Sequence, residues 1–205
     1  MKHEWKKHEK ALYAPKTEPE VIDIPSLNFF CIDGEGHPES DQFRNSLEAL
    51  YAASYAVRMS HKGQNPLPGY FEYTVYPLEG VWDLIDPSKG PLDKNNFKYQ
   101  LMIRQPDFLT EARAHEFIEA AAVKKKNDFI RNLTFRTMTE GRCIQMLHIG
   151  SYDDEPASFS RMEAFCTAQG LQRKSKVHRE IYLSDARKVA PEKLNTILRF
   201  QTLNP

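Results

Sequence analysis

The sequence predicts an α+β fold built from two βαββ units. Two observations carry that expectation. The order strand, glycine, helix, strand, strand occurs twice, with the first glycine turns roughly one hundred residues apart, which reads as an internal repeat. In addition, 40% of the 205 residues are hydrophobic, ample for a core in one domain or in two packed halves.

The elements follow in order. A polar lead-in ends near Pro25, and "LNFFCID" (Leu27 to Asp33) has the aromatic and branched content of a strand, stopped by the glycines at Gly34 and Gly36. From Ser40, the residues Phe43, Leu47, Leu50, Tyr51, Ser54 and Val57 fall near one face at helical spacing, with Ser40 or Asp41 as N-cap. "HKGQNPLPG" (His61 to Gly69) breaks that helix. A strand is expected from Tyr70, cut off at Pro77, and another over Asn96 to Gln105, ended by Pro106. Thr110 to Lys126 reads as a helix capped by Thr110, its three closing lysines complementing the helix dipole. "LTFRTMTEGRCIQMLHI" reads as a hairpin turning at Glu140 and Gly141. A helix follows with Pro156 in its first turn and Gly170 closing it, and then two strands, "KVHREIYLSD" and "NTILRFQTL". The first unit thus covers 27–105, a helical insertion 106–132 and the second unit 133–205, all in one domain.

Charge and cysteines narrow the function. Lysine plus arginine and aspartate plus glutamate both number 28, so the formal net charge is +0 and nothing pulls on a phosphate backbone; no nucleic-acid partner is expected. Cys31, Cys143 and Cys166 are odd in number, far apart and in apolar company, which points to buried reduced thiols. The N-terminus lacks an apolar h-region, and no run approaches the ~18 apolar residues of a membrane span. The expectation is a soluble, cytoplasmic protein without a membrane partner.

Several motifs fall away. "DGEGH" lacks the lysine and hydroxyl residue of a P-loop and the third glycine of a dinucleotide turn. The seven histidines never take HxH or HExxH spacing, so neither a metal nor another cofactor is expected. Ser151 and Ser184 lack the setting of a nucleophile elbow. What remains is a set of aromatics and acids in or beside strands: Tyr70, Tyr73, Tyr76, Trp82, Tyr152 and Tyr182 with Glu79 and Glu180. In "HREIY", alternation puts His178, Glu180 and Tyr182 on one face and Arg179 and Ile181 on the other. That face is ordinary surface or the wall of a site. An acid among aromatics can hold an aromatic cation or act as a base.

"PLEGVW" (Pro77 to Trp82), "QMLHIGSYDDEP" (Gln145 to Pro156) and "HREIYLSDARKVAPEKLNTILR" (His178 to Arg199), in this order, resemble the GyrI-like small-molecule-binding family, over nearly the whole chain from about Glu18. The chain looks most like the stand-alone branch without a DNA-binding domain, and is similar to the effector-binding domain of multidrug-sensing regulators. The resemblance implies two SHS2-type βαββ modules about a pseudo-twofold axis, with antiparallel sheets forming a concave cleft for planar aromatic molecules and helices packed on the other side. It carries the cleft glutamate over to Glu180, with Tyr182 on the same face. Glu79 and Trp82 match "PLEGxW", and Tyr152 matches the tyrosine after the second unit's glycine. Ser151 departs from the pattern, standing where the family commonly has proline. Tyr73, Tyr76, His148 and Met102 complete the expected ligand contacts.

Some members of this branch are hydrolases that open strained cyclopropanes in genotoxic natural products. By that resemblance Glu180 would be the base for attacking water, and Tyr152 or Tyr182 the donor to the dienone oxygen. Two other expectations stay open: a non-catalytic module that sequesters planar hydrophobic or cationic drugs, and an inhibitor of a protein partner of the gyrase type.

Overall fold

Ser40 sits at φ −66, ψ 158, and its hydroxyl accepts the Phe43 N–H at 3.2 Å, so the first long helix starts at the cap that the sequence offers. The computed structural model describes residues 2–63, 67–90 and 93–203. In chain order its elements are α1 (Trp5–His8), α2 (Lys10–Tyr13), β1 (Glu20–Glu35), α3 (Asp41–Arg58), β2 (Leu78–Leu84), β3 (Phe97–Gln105), α4 (Glu111–Lys124), β4 (Thr134–Ile149), α5 (Glu155–Ala168), β5 (His178–Tyr182) and β6 (Asn195–Gln201). The fold is mixed α and β, and every strand pair with a given register is antiparallel. The chain divides into two units. One comprises Met1–Trp5, Leu27–Tyr76 and Asp83–Met138; the other comprises Lys6–Ser26, Pro77–Trp82 and Thr139–Pro205. The segment Pro77–Trp82, from the middle of the chain, therefore belongs with the C-terminal strands and not with the helix that precedes it.

In the first unit β1 pairs with β3 from Asn28↔Gln105 to Glu35↔Lys98. Phe30, Cys31, Leu101, Met102 and Ile103 are buried there, along with Leu50, Ala53 and Val57 of α3. Gln105 donates to the Ser54 hydroxyl at 3.0 Å, tying β3 to α3, and Thr110 caps α4 as expected. One expectation fails here and another is met. Residues 70–76 form no strand, because their backbone partners are isolated N-terminal groups: His3 N–H donates to Glu72 O at 2.7 Å and Thr74 N–H to His3 O at 2.9 Å, a single bridge too short to continue as a ladder. The helix break after Arg58 is present, with a turn at Ser60–Lys62, but its middle, 64–66, lies outside the described residues.

In the second unit the strand order is β2, β5, β6, β4. The hairpin expected at Glu140 and Gly141 is absent: β4 runs unbroken through both, with Gly141 at φ 68, a backbone state that glycine takes without strain. Alternate residues define the two faces. One carries Ile144 and Met146 of β4 with Leu198 and Phe200 of β6, which pack with Met162 and Cys166 of α5. The other is polar yet buried. There Arg179 donates to Glu79 at 2.7 Å and to Glu140 at 3.0 Å, and Arg199 lies 3.5 Å from Glu140 and 2.9 Å from the Gln145 side-chain oxygen. Burial disfavours charge on Glu140, but Arg179 and Arg199 beside it hold its carboxyl below the usual range.

The register between β2 and β5 sets Gly80 opposite Glu180 and Trp82 opposite His178. A Cβ on Gly80 would come within 2.8 Å of Trp82 Nε1 and 3.2 Å of the Tyr182 hydroxyl. The missing side chain leaves the gap across which those two rings meet.

Two outcomes follow from these contacts. Arg179→Ala leaves the buried Glu79 carboxylate without its guanidinium and Glu140 with Arg199, and should lower unfolding stability by about 3–5 kcal/mol in denaturant titration; a loss under about 1 kcal/mol would show that the network is dispensable. Gly80→Ala should force the indole aside, shifting tryptophan emission and costing about 1–3 kcal/mol, and unchanged emission would refute the close fit.

Candidate functional site

Glu180 pairs with Leu198 across β5 and β6, so it shares the face that carries the α5 cluster. The expectation put helices behind the sheet, away from the cleft acid; in the second unit the acid and α5 are on the same side. The question left open by alternation is thereby answered: the face of His178, Glu180 and Tyr182 is not plain solvent-facing surface. Glu180 is only 9% exposed.

Its carboxylate is held from several directions. The Tyr182 hydroxyl donates to Oε2 at 2.7 Å, and that hydroxyl accepts from Trp82 Nε1 at 2.8 Å. His178 Nε2 lies 3.1 Å from Oε1, while its ring meets Phe159 edge-on with centroids 4.7 Å apart. Burial, and then the charge of Glu180, push the Tyr182 phenol well above its ordinary value, so it stays a neutral donor.

Tyr152 begins a short turn just ahead of α5. Ser151 caps that turn at φ −64, its hydroxyl accepting the Asp153 N–H at 3.2 Å. That φ is also the one proline would impose, so the departure at Ser151 leaves the backbone where the family residue would put it. The Tyr152 ring stands edge-on to Tyr182, centroids 6.0 Å apart. Burial pushes its phenol up to about 12, helped by Glu180, Glu155 and Asp185. At 38% exposure it reaches solvent, and no hydrogen bond engages its hydroxyl among the described residues. It therefore has a donor proton to offer, whereas that of Tyr182 is already committed to Glu180.

The structure brings Glu180, Tyr182, Trp82 and Tyr152 together, whereas Glu79 and His148 are engaged by other partners. Glu79 pairs with Ile181, which puts it on the opposite face, 2% exposed and engaged by Arg179. His148 is buried, with Nδ1 2.9 Å from the Ser158 hydroxyl and Nε2 3.0 Å from Ser151 O; because a carbonyl only accepts, Nε2 carries the hydrogen, and the ring ties the Tyr152 turn to α5. Tyr73, Tyr76 and Met102 belong to the first unit and are buried there, Tyr76 beneath the Arg104 guanidinium at 4.6 Å. Glu155, the first residue of α5, was not singled out from the sequence. It is 6% exposed, and burial followed by the charge of Glu180 pushes its carboxyl well above the ordinary range. The "EP" pair marks a helix start, but nothing in it foretells a buried carboxyl.

Among the described residues no cluster of three or more His, Cys, Asp or Glu is placed to hold a metal, and no helix is long and apolar enough to cross a membrane.

No curated protein matches the chain. A structure described as a hydrolase from Listeria innocua is 35% identical, with a TM-score of 0.90 over 98% of this chain and 100% of that one. Another hydrolase structure from Listeria innocua is 36% identical, with a TM-score of 0.92 over 99% and 100%. The EcmrR C-terminal domain shares the fold at 12% identity and a TM-score of 0.54, over 92% of this chain and 98% of that one. The model of the GyrI-like small molecule binding domain matches residues 17–201, and the chain belongs to that family.

Proposed function

We propose that the protein is a hydrolase of planar electrophiles bearing a strained cyclopropane, with Glu180 as base and Tyr152 as acid. The observation that carries this reading is the pairing of a carboxylate held in place by Tyr182 with a neighbouring phenol whose proton is uncommitted. The hydrolase names of two relatives that align along the whole chain point the same way.

The chemistry balances without a cofactor. Water attacks the less hindered ring carbon and gives a proton to Glu180 as the new C–O bond forms. The cyclopropane C–C bond breaks, its electron pair moves through the conjugated system to the dienone oxygen, and that oxygen takes a proton from Tyr152. Return of the proton from Glu180 to Tyr152 through water completes the net addition of one water molecule. Fixed base and acid catalysis of this kind contributes about 10²–10⁴-fold. The exposed ring of Tyr152 offers apolar surface to a planar ligand.

The decisive experiment incubates a spirocyclopropyl cyclohexadienone with substoichiometric protein and follows products by mass spectrometry. Many equivalents of ring-opened hydrate are expected; one equivalent or none would leave a binding module and overturn the enzyme reading. Glu180→Gln should lower turnover by about 10²–10⁴-fold while changing ligand affinity only a few-fold. Tyr152→Phe should lower kcat by about 10²–10³-fold with no change in melting temperature, and retained kcat would transfer the acid role away from Tyr152.

A further inference from the structure

We infer that His178 is a positioning residue of this site: its Nε2–H donates to Glu180 Oε1 and, with the Tyr182 hydroxyl on Oε2, fixes the plane of the carboxylate proposed as base. The torsion that turns a glutamate carboxylate about its last carbon–carbon bond is broad and roughly two-fold, so a donor on one oxygen leaves the group free to pivot. Here both oxygens are engaged, Oε2 by the Tyr182 hydroxyl at 2.7 Å and Oε1 by His178 Nε2 at 3.1 Å. The two donors stand two residues before and two residues after Glu180 in β5, so strand alternation delivers all three side chains to one face.

The neighbours decide which atom holds each hydrogen. The Tyr182 hydroxyl accepts from Trp82 Nε1, an atom that can only donate, so the phenol hydrogen goes to Oε2. His178 Nδ1 lies 3.3 Å from the Lys176 carbonyl while Nε2 faces Glu180, so each ring nitrogen meets an oxygen. A doubly protonated ring answers both oxygens, and a neutral ring answers one. The bond to the carboxylate is the charge-assisted and the shorter of the two, whereas Lys176 O already accepts from Arg173 Nη2 at 2.9 Å and loses little. Either form of the ring therefore keeps a hydrogen on Nε2. A hydrogen on Oε1 instead would sit on the weaker base, since an imidazole is ordinarily about 10²-fold more basic than a carboxylate. The groups around the ring leave this pairing undisturbed. Phe159 of α5 meets it edge-on with centroids 4.7 Å apart, Trp82 of β2 is its register partner, and the cations Lys176 and Arg173 are both bound to Glu163, at 2.8 and 2.7 Å. The effect of this donor on turnover rests on the proposed hydrolase reading, whereas the placement of its hydrogen does not.

Nitrogen NMR of the imidazole rings reads that hydrogen directly and needs no turnover. With the His178 signals identified by their loss in His178→Gln, Nε2 of the full-length protein should stay protonated from about pH 5 to about pH 8, the range over which an imidazole changes charge, while Nδ1 alone gains or loses its hydrogen. A ring whose Nε2 becomes a bare lone pair anywhere in that range overturns the inference. Kinetics on the spirocyclopropyl probe supply the second readout. His178→Leu keeps an apolar side chain against Phe159 but removes the donor, and should lower kcat by about 10²-fold with KM changed only a few-fold and the circular dichroism spectrum unchanged. His178→Gln brings an amide N–H toward the same oxygen and should recover about tenfold of that loss. Equal kcat in the two variants would reduce His178 to a packing residue and overturn its positioning role. A wild type with Nε2 protonated but no turnover would sink the hydrolase reading and leave the donor standing.

Discussion

A charged guanidinium buried inside a sheet constrains everything around it. Arg179 is 3% exposed, and the desolvation that this imposes is answered by Glu79 on β2 and Glu140 on β4. Losing either partner leaves buried charge only partly compensated in a medium that cannot screen it, so β5 is held at one register against β2. Side chains alternate along a strand, and the register that pairs Arg179 on one face fixes Glu180 on the other. The acid of the site is thus oriented by an ion-pair network that it never touches.

On the site face the controlling feature is an absence. Gly80 lies opposite Glu180, and because it has no side chain, the Trp82 indole and the Tyr182 phenol meet above the strand and form a donor chain ending on the carboxylate. His148 ties the Tyr152 turn to α5. Packing of α5 through Met162 and Cys166 against Leu198 and Phe200 supplies the apolar support for these polar contacts. A disturbance of that cluster would reach the Tyr152 turn through the helix and His148.

How much of this was legible in the sequence depended on whether a signal was local. Helix caps were local: Ser40 and Thr110 cap where they were expected to, because capping uses a side chain and a backbone group within one turn. Strands were less so. Tyr70 to Tyr76 has the composition of a strand but, among the described residues, meets a single bridge partner in His3, and Gly141 reads as a hairpin because a positive φ serves a continuing strand as well as a turn. The site divided in the same way. Glu180 and Tyr182 emerged from alternation joined to a family resemblance. Glu79 was grouped with them because only the pairing of Glu79 with Ile181, invisible in one dimension, reveals that it faces away. The burial of Glu155 leaves no local trace, because it arises from the packing of the α5 start and not from the residues beside it in the chain.

The brevity of β5 has an evolutionary consequence. Within His178–Tyr182 every second position serves the ion network or the acid, so the strand has little room to vary without sacrificing stability or chemistry. The turn carrying Tyr152 is under looser constraint: Ser151 already occupies a backbone state that other residues accept, and the Tyr152 ring is partly in solvent. New ligand preferences would be acquired most cheaply there, with adaptation confined to a few exposed positions while the charged strand beneath them stays unchanged.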